Sequence, residues 1–316
     1  MSAANLGEVG SEPVLEVRGQ LTAERLGTTL GADPMLLLGG LALVASAFVV
    51  AVIVVARWMQ ARGVTWRAAL FRRVVLQHPE VSQHAESARP RGWARLRRLV
   101  RFEYELLHLG LGLAFLVGVA LFLALAFMVV DQGAVAAFDL SLGRAIHRSA
   151  PPGLVGVMRF VTSLGGGEAV TVVAIVVAAA LLFARRWHLA IGWCVAEAGA
   201  GLFNSLLKSL YRRARPSFED PFSVASGWSF PSGHSMATFV TAGMLAYVVS
   251  RFCAPGWRRF SAVFLASVWT LVIGFSRICL GVHWASDVLG GFAAGAAWLA
   301  VCVSAVEVAA PSRRGA

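Results

Sequence analysis

Apolar residues in this chain gather in long unbroken runs, and the polar residues collect between them. Seven such runs stand out, at 35–56, 106–130, 168–184, 187–207, 234–252, 260–280 and 284–306. A helix that rises 1.5 Å per residue needs about 20 apolar residues to cross a bilayer, so each run is predicted to be a spanning helix. The third run is short and leans on glycines, and the fourth carries a mid-span acid, Glu197. Between the second and third runs, Phe138, Leu142 and Ile146 recur at near-helical spacing. That spacing predicts one or two short interfacial helices within 131–167. Gly291-x3-Gly295 in the last run predicts a close helix-packing face. The expected fold class is therefore all-α, a polytopic transmembrane helix bundle.

Composition agrees with that pattern. The 316 residues are 58% hydrophobic and only 14% charged, against about 25% charged in an average soluble domain; the mean hydropathy is +0.70. The formal net charge of +11 invites a nucleic-acid reading, but no basic soluble module is present to carry one. The positive charge is instead topogenic. Eleven basic residues lie in 57–105, and Arg185, Arg186, Arg251, Arg258, Arg259, Arg313 and Arg314 fall on the same side if the runs alternate. Short cytoplasmic loops retain Arg and Lys, so this side is expected to be cytoplasmic.

The chain then divides into a polar extracytoplasmic tail (1–34), a first spanning helix with a basic cytoplasmic loop (35–105), a membrane core (106–307) and a cytoplasmic tail (308–316). Residues 1–30 are polar and acidic and lack the basic start and short apolar stretch of a cleaved signal, so 35–56 is expected to be an uncleaved anchor. The basic loop interleaves arginines with Trp58, Trp66, Phe71 and Trp93 and could rest on anionic headgroups. It could equally be a solvated loop that only sets topology. Cys194, Cys253, Cys279 and Cys302 sit in or beside apolar runs with no metal-type spacing and read as small hydrophobes. Gly165-Gly166-Gly167-Glu168 lacks the Lys-Ser/Thr of a phosphate loop and reads as a helix entry. A mid-membrane Glu197 needs a partner, with Asn204 or a hydroxyl as candidates.

The chemistry-bearing residues gather in three short blocks. Lys208 is the only lysine among 28 basic residues, and it opens the pattern Lys208-x6-Arg215-Pro216. Pro231-Ser232-Gly233-His234 follows, then Ser276-Arg277-x5-His283-x3-Asp287. Under the predicted topology all three blocks converge on the extracytoplasmic ends of the helices. Lys208, Arg215 and Arg277 can together neutralise a dianion, the arginines offering planar forks that match phosphate oxygens. His234 and His283 titrate closest to neutrality, so one can attack or accept a proton while the other donates. Asp287, four residues after His283, shares its helix face and can hold its tautomer. Helical spacing also places Lys208, Arg212 and Arg215 on one side, with Pro216 ending the helix. Arg212 and Arg213 stand outside the pattern. Ser232 reads as a helix cap, and a capped N-terminus is itself an anion site. One carboxylate facing three cations makes a poor divalent-metal site, so no metal or other cofactor is expected.

These blocks, in this order and spacing, resemble the signature of the type 2 phosphatidic acid phosphatase superfamily. The resemblance implies a six-helix core over roughly 106–307, with 35–56 as one additional N-terminal helix. It implies His283 as a nucleophile that forms a phosphohistidine, Asp287 as its orienting partner and His234 as acid to the leaving group. Lys208, Arg215, Ser232, Gly233 and Arg277 take the phosphate-binding positions. The expected activity is lipid phosphatase in a bacterial cytoplasmic membrane, with undecaprenyl pyrophosphate the first substrate and phosphatidylglycerophosphate or phosphatidic acid the alternatives. A phosphotransferase, or a transporter or scaffold on the same frame, would be a different outcome. The partners expected are a lipid phosphate and the membrane, and no nucleic acid.

Overall fold

A computed structural model of the protein describes the backbone of residues 12–31, 89–253 and 257–309, and the side chains of 20–29, 108–253 and 257–309. The first predicted span, 35–56, most of the basic loop and the last seven residues lie outside the described part. The described residues form helices α1 (Glu12–Gly31), α2 (Arg89–Asp131), α3 (Ala134–Ser149), α4 (Pro152–Leu164), α5 (Gly167–Phe183), α6 (Trp187–Tyr211), α7 (Gly233–Phe252), α8 (Trp257–Cys279) and α9 (Ala285–Ala309), with no strand among them.

Five of these are long and apolar enough to cross a membrane: His108–Asp131 within α2, and α6, α7, α8 and α9. The α4 and α5 helices, bent by 40° across Gly165–Gly166, reach that length and hydropathy only as a pair. The chain is thus a multi-pass membrane protein, and every predicted run within the described residues is helical. Two boundaries differ from expectation. Residues 89–105 of the basic loop continue α2 as helix, because that stretch holds only one proline and it stands in the first turn, where a missing N–H costs nothing. Most of the polar tail is also helical: α1 packs on α3, where a Cβ on Gly27 would lie 2.7 Å from the Phe138 carbonyl, so only glycine allows the approach.

The α9 helix is the hub and packs against α2, α6 and α7. Half of its apolar window is buried, against 22% for α2, whose Leu109, Leu113, Leu116 and Phe127 face outward. In a bilayer, helices gain little from hiding apolar surface and associate through close packing, which small residues permit. Gly291 and Gly295 serve this purpose, as expected: a Cβ on Gly291 would stand 2.7 Å from the Ser232 carbonyl, and one on Gly295 3.2 Å from Phe239. Trp193, Met236, Val240, Met244 and Val303 fill the core between α6, α7 and α9. A second core of Ile146, Met158, Phe275 and Leu280 ties α3 and α4 to α8. Glu197 takes the hydroxyl partner: Thr241 Oγ1 lies 2.8 Å from its Oε2, while Asn204 bonds the Pro231 carbonyl instead. The ends of α6 and α8 and the starts of α7 and α9 thereby meet at one end of the bundle, beside α3.

Candidate active site

Helix ends deliver most of the site residues, and the non-helical chain after α6 delivers the others. The α6 helix stops at Tyr211 because Arg212 turns left-handed (φ 44°) and donates its N–H to the Lys208 carbonyl. This overturns the expectation that the helix runs to Pro216 and presents Lys208, Arg212 and Arg215 on one side. Arg212 folds back to the Ser209 carbonyl at 3.0 Å, and non-helical chain carries Arg213 and Arg215 inward. Ser232 caps α7: its Oγ accepts from the Ser235 N–H at 3.4 Å and from the Ser235 hydroxyl at 2.9 Å. Its own N–H donates to the Asp287 carbonyl at 2.9 Å, which locks the start of α7 to the start of α9.

Six of the eight residues singled out in the sequence line a single pocket of about 460 Å³: Lys208, Arg215, Gly233, His234, Arg277 and His283, with Val224, Ala225 and Ser226 as the remaining wall. Asp287 stands behind His283, fully buried, and Ser232 lies beneath as the cap. Arg277 donates from Nη1 to Thr162 Oγ1 at 2.7 Å, while its buried Nε has no hydrogen-bond partner among the described residues. Lys208 donates to the Trp228 carbonyl. Arg215 reaches the Gly227 carbonyl from Nε at 2.8 Å and the Val282 carbonyl from Nη1 at 2.7 Å.

The tautomer of His283 follows from its neighbours. Arg215 Nη1 lies 3.0 Å from Nε2 of the imidazole, and a guanidinium can only donate. Nε2 must therefore carry the lone pair, leaving the ring proton on Nδ1, which faces Asp287 Oδ2 at 3.3 Å. Burial pushes the imidazole down to about 4; the Asp287 hydrogen bond and charge oppose the fall, and Arg215 and Arg277 add to it. His283 is thus neutral at pH 7, with an unprotonated nitrogen in a pocket lined by three cations.

Sequence reading missed the groups that hold Asp287. Its Oδ2 accepts from the Trp284 N–H at 2.9 Å and from the Ser229 hydroxyl. Its Oδ1 accepts from Arg213 Nη1 at 2.7 Å, which also reaches Ser286 Oγ at 2.7 Å. The second nitrogen of Arg213 donates to Asp139 Oδ2 on α3 at 2.8 Å, and Asp139 Oδ1 accepts from the Ser286 N–H at 3.1 Å. Burial pushes the Asp139 carboxyl up, and Ser286 and Arg213 oppose that rise. The available signal was that Asp139 shares a helical face with Leu142 and Ile146, and a carboxylate buried there, as this one is, requires a cation.

A membrane helix bundle that gathers three cations, two imidazoles and an oriented carboxylate at one end defines the class: an integral-membrane protein with a pocket matched to a phosphate. Known proteins narrow this. Residues 189–310 match the model of the PAP2 superfamily. Phosphatidylglycerophosphatase B of Bacillus subtilis is 30% identical over 57% of this chain and 88% of its own length. The crystal structure of a transmembrane PAP2 type phosphatidylglycerolphosphate phosphatase from the same organism superimposes with a TM-score of 0.56 at 28% identity, covering 63% of this chain and 99% of that one. An undecaprenyl-diphosphatase of Sulfolobus acidocaldarius is 25% identical over 56% of this chain and 82% of its own. The chain belongs to the PAP2 superfamily, and it is a membrane-embedded phosphatase of lipid phosphates.

Proposed function

We propose that this protein removes the terminal phosphate of a lipid (pyro)phosphate at the extracytoplasmic face of a bacterial cytoplasmic membrane, through a phosphohistidine on His283. The observation that carries the reading is Nε2 of His283, 3.0 Å from the donor Nη1 of Arg215, in one pocket with Lys208, Arg215 and Arg277. Phosphoryl transfer requires positioning and charge neutralisation more than covalent chemistry, and that is what three converging cations supply.

In the first step, Nε2 of His283 forms a bond to phosphorus while the bond from phosphorus to the lipid oxygen breaks, and His234 passes its proton to that oxygen. Lys208, Arg215 and Arg277 neutralise the equatorial oxygens, with the buried Nε of Arg277 as a ready donor, and the N–H groups at the start of α7 beside Ser232 and Gly233 add to them. In the second step water attacks phosphorus, the nitrogen–phosphorus bond breaks and His234 takes the water's proton. Asp287 balances the positive charge that develops on His283. No divalent metal is required, because the carboxylate beside the pocket already has both oxygens engaged by protein donors.

The proposed substrate is undecaprenyl pyrophosphate, converted to the monophosphate. Phosphatidylglycerophosphate is the second reading, favoured by the breadth of the match to the Bacillus subtilis enzyme. What supports the facing is loop charge: the arginine-rich start of α2 and the short turns that hold Arg185, Arg186, Arg251, Arg258 and Arg259 lie at the end of the described bundle away from the site, and short cytoplasmic loops retain arginine. Phosphate release from undecaprenyl pyrophosphate, phosphatidylglycerophosphate and phosphatidic acid in EDTA, with acid-labile radiophosphate trapped on the protein, tests the reading. Release and trapping should both survive EDTA and vanish in His283→Ala; a labelled His283→Ala protein would refute the nucleophile assignment.

A further inference from the structure

Arg213 and Arg277 are both held by residues distant in the chain, and their partners differ in kind. Arg213 is held by two carboxylates, Asp139 and Asp287, at 2.8 and 2.7 Å. Arg277, at 6% exposure, is held by a hydroxyl: its Nη1 donates to Thr162 Oγ1 at 2.7 Å, across 115 residues of chain. None of the ion pairs among the described residues includes Arg277.

Packing brings Thr162 there. The end of α4 runs against α8, and Gly165 permits the approach, since a Cβ on it would lie 2.8 Å from the fully buried Ile273. Thr162 stands three residues before Gly165 and Arg277 four after Ile273, one helical turn in each case, so both pairs meet along one contact line. The same elbow borders the second imidazole: a Cβ on Gly166 would lie 3.7 Å from His234 Nε2. The α4 helix therefore reaches the site although it lies outside residues 189–310, which match the family.

A guanidinium carries its N–H donors in a rigid planar fork, so fixing one nitrogen aims the others. Thr162 occupies Nη1, while Nε is buried with no partner among the described residues. What remains for a ligand is the Nε–Nη2 edge, whose parallel N–H groups suit two oxygens of one phosphate. A carboxylate in place of the hydroxyl would hold the same nitrogen but cancel the charge, and in a water-poor pocket that loss weighs heavily against a dianion. We propose that Thr162 is a positioning residue of the phosphate site: a neutral acceptor that turns the Nε–Nη2 edge of Arg277 to the substrate phosphate and leaves the cation uncancelled. The proposal rests on the phosphatase reading above.

Substitutions at this one position separate positioning from a structural tie. Thr162→Ser keeps the acceptor, Thr162→Val keeps the shape without it, and Thr162→Asn and Thr162→Asp supply an acceptor without and with charge. Phosphate release from undecaprenyl pyrophosphate, phosphatidylglycerophosphate and phosphatidic acid in nanodiscs gives kcat and KM, competition by inorganic phosphate gives its inhibition constant, and thermal unfolding gives Tm. Thr162→Ser should stay within about threefold of wild type in each constant, and Thr162→Val should lose about tenfold both in kcat/KM and in affinity for inorganic phosphate. Thr162→Asp should bind inorganic phosphate at least about tenfold more weakly than Thr162→Asn with a Tm no lower, because the new ion pair ties α4 to α8 while it neutralises Arg277. Equal phosphate affinity in the Asn and Asp variants, or wild-type phosphate affinity in Thr162→Val, would overturn the positioning role. Wild-type protein that binds inorganic phosphate but releases none from any of the three lipids would instead overturn the phosphatase reading.

Discussion

Arg213 is the residue whose removal separates positioning from folding. It joins Asp287 at 2.7 Å and Asp139 at 2.8 Å, and its own side chain is only 13% exposed. Arg213→Gln leaves two buried carboxylates without their shared cation, and breaking a buried pair costs about 3–5 kcal/mol. Against a typical stability of about 5–15 kcal/mol the protein would be seriously weakened. Asp139→Asn in the same chain removes one of the two stranded charges and relieves the desolvation that already pushes the Asp139 carboxyl up. Most of the folding loss should therefore return in the double variant.

Catalysis should not return with it. Asp287 Oδ1 would still lack the donor that fixes its plane, and with it the plane that orients His283. A misdirected orienting carboxylate costs about 10²–10⁴ in kcat, so the double variant should fold, bind substrate with a KM near wild type and turn over about 10²-fold more slowly. Thermal unfolding in detergent measures the first effect and steady-state phosphate release the second. A double variant with wild-type kcat would refute the positioning role and leave Arg213 as a structural ion pair.

Other outcomes follow from the same geometry. ¹⁵N-imidazole spectra of His283 should show a neutral ring with the proton on Nδ1 throughout pH 5–8; because burial lowers its value to about 4, protonation is gained only as pH falls through that point, and a charged ring at pH 6 would contradict the burial argument. Gly291→Val should lower both Tm and kcat, since even a Cβ would stand 2.7 Å from the carbonyl of the cap residue Ser232, whereas Gly110→Ala, with nothing within 4 Å, should change neither. Ser229→Ala removes one donor to Asp287 while the Trp284 N–H and Arg213 remain, so kcat should fall about tenfold, less than for Arg213→Gln/Asp139→Asn.

The parts of this protein that were legible in its sequence are those made locally. Spanning helices follow from apolar runs alone, and six of the pocket-lining residues stand out in the sequence as three short motifs at or just beyond helix ends. His283 and Asp287 are four residues apart and do meet; Ser232 caps the helix it opens. The supporting network was not legible because it is assembled across the fold. Asp139 reaches Ser286 across 147 residues of chain, and only the packing of α3 against the start of α9 brings them together. Its apolar neighbours made α3 look like an interfacial helix, although the acid on its inner face required a buried cation.

The first motif shows why spacing misled there. Read as helix, its six intervening residues align Lys208, Arg212 and Arg215 on one face, but the left-handed turn at Arg212 breaks the count after Tyr211. From that point the chain is non-helical and residues two apart can face the same side, so Arg213 and Arg215 both turn toward the site, Arg213 to the carboxylates and Arg215 to His283, while the Ala214 carbonyl between them accepts from the Trp284 indole at 3.1 Å. That two-residue spacing, and not a helical face, gives Asp287 one arginine and the pocket another. Inserting one residue between Arg213 and Arg215 should thus abolish turnover while sparing α6, whose last turn is already closed by the Arg212 N–H. An insertion that leaves activity intact would show that the two arginines are placed independently.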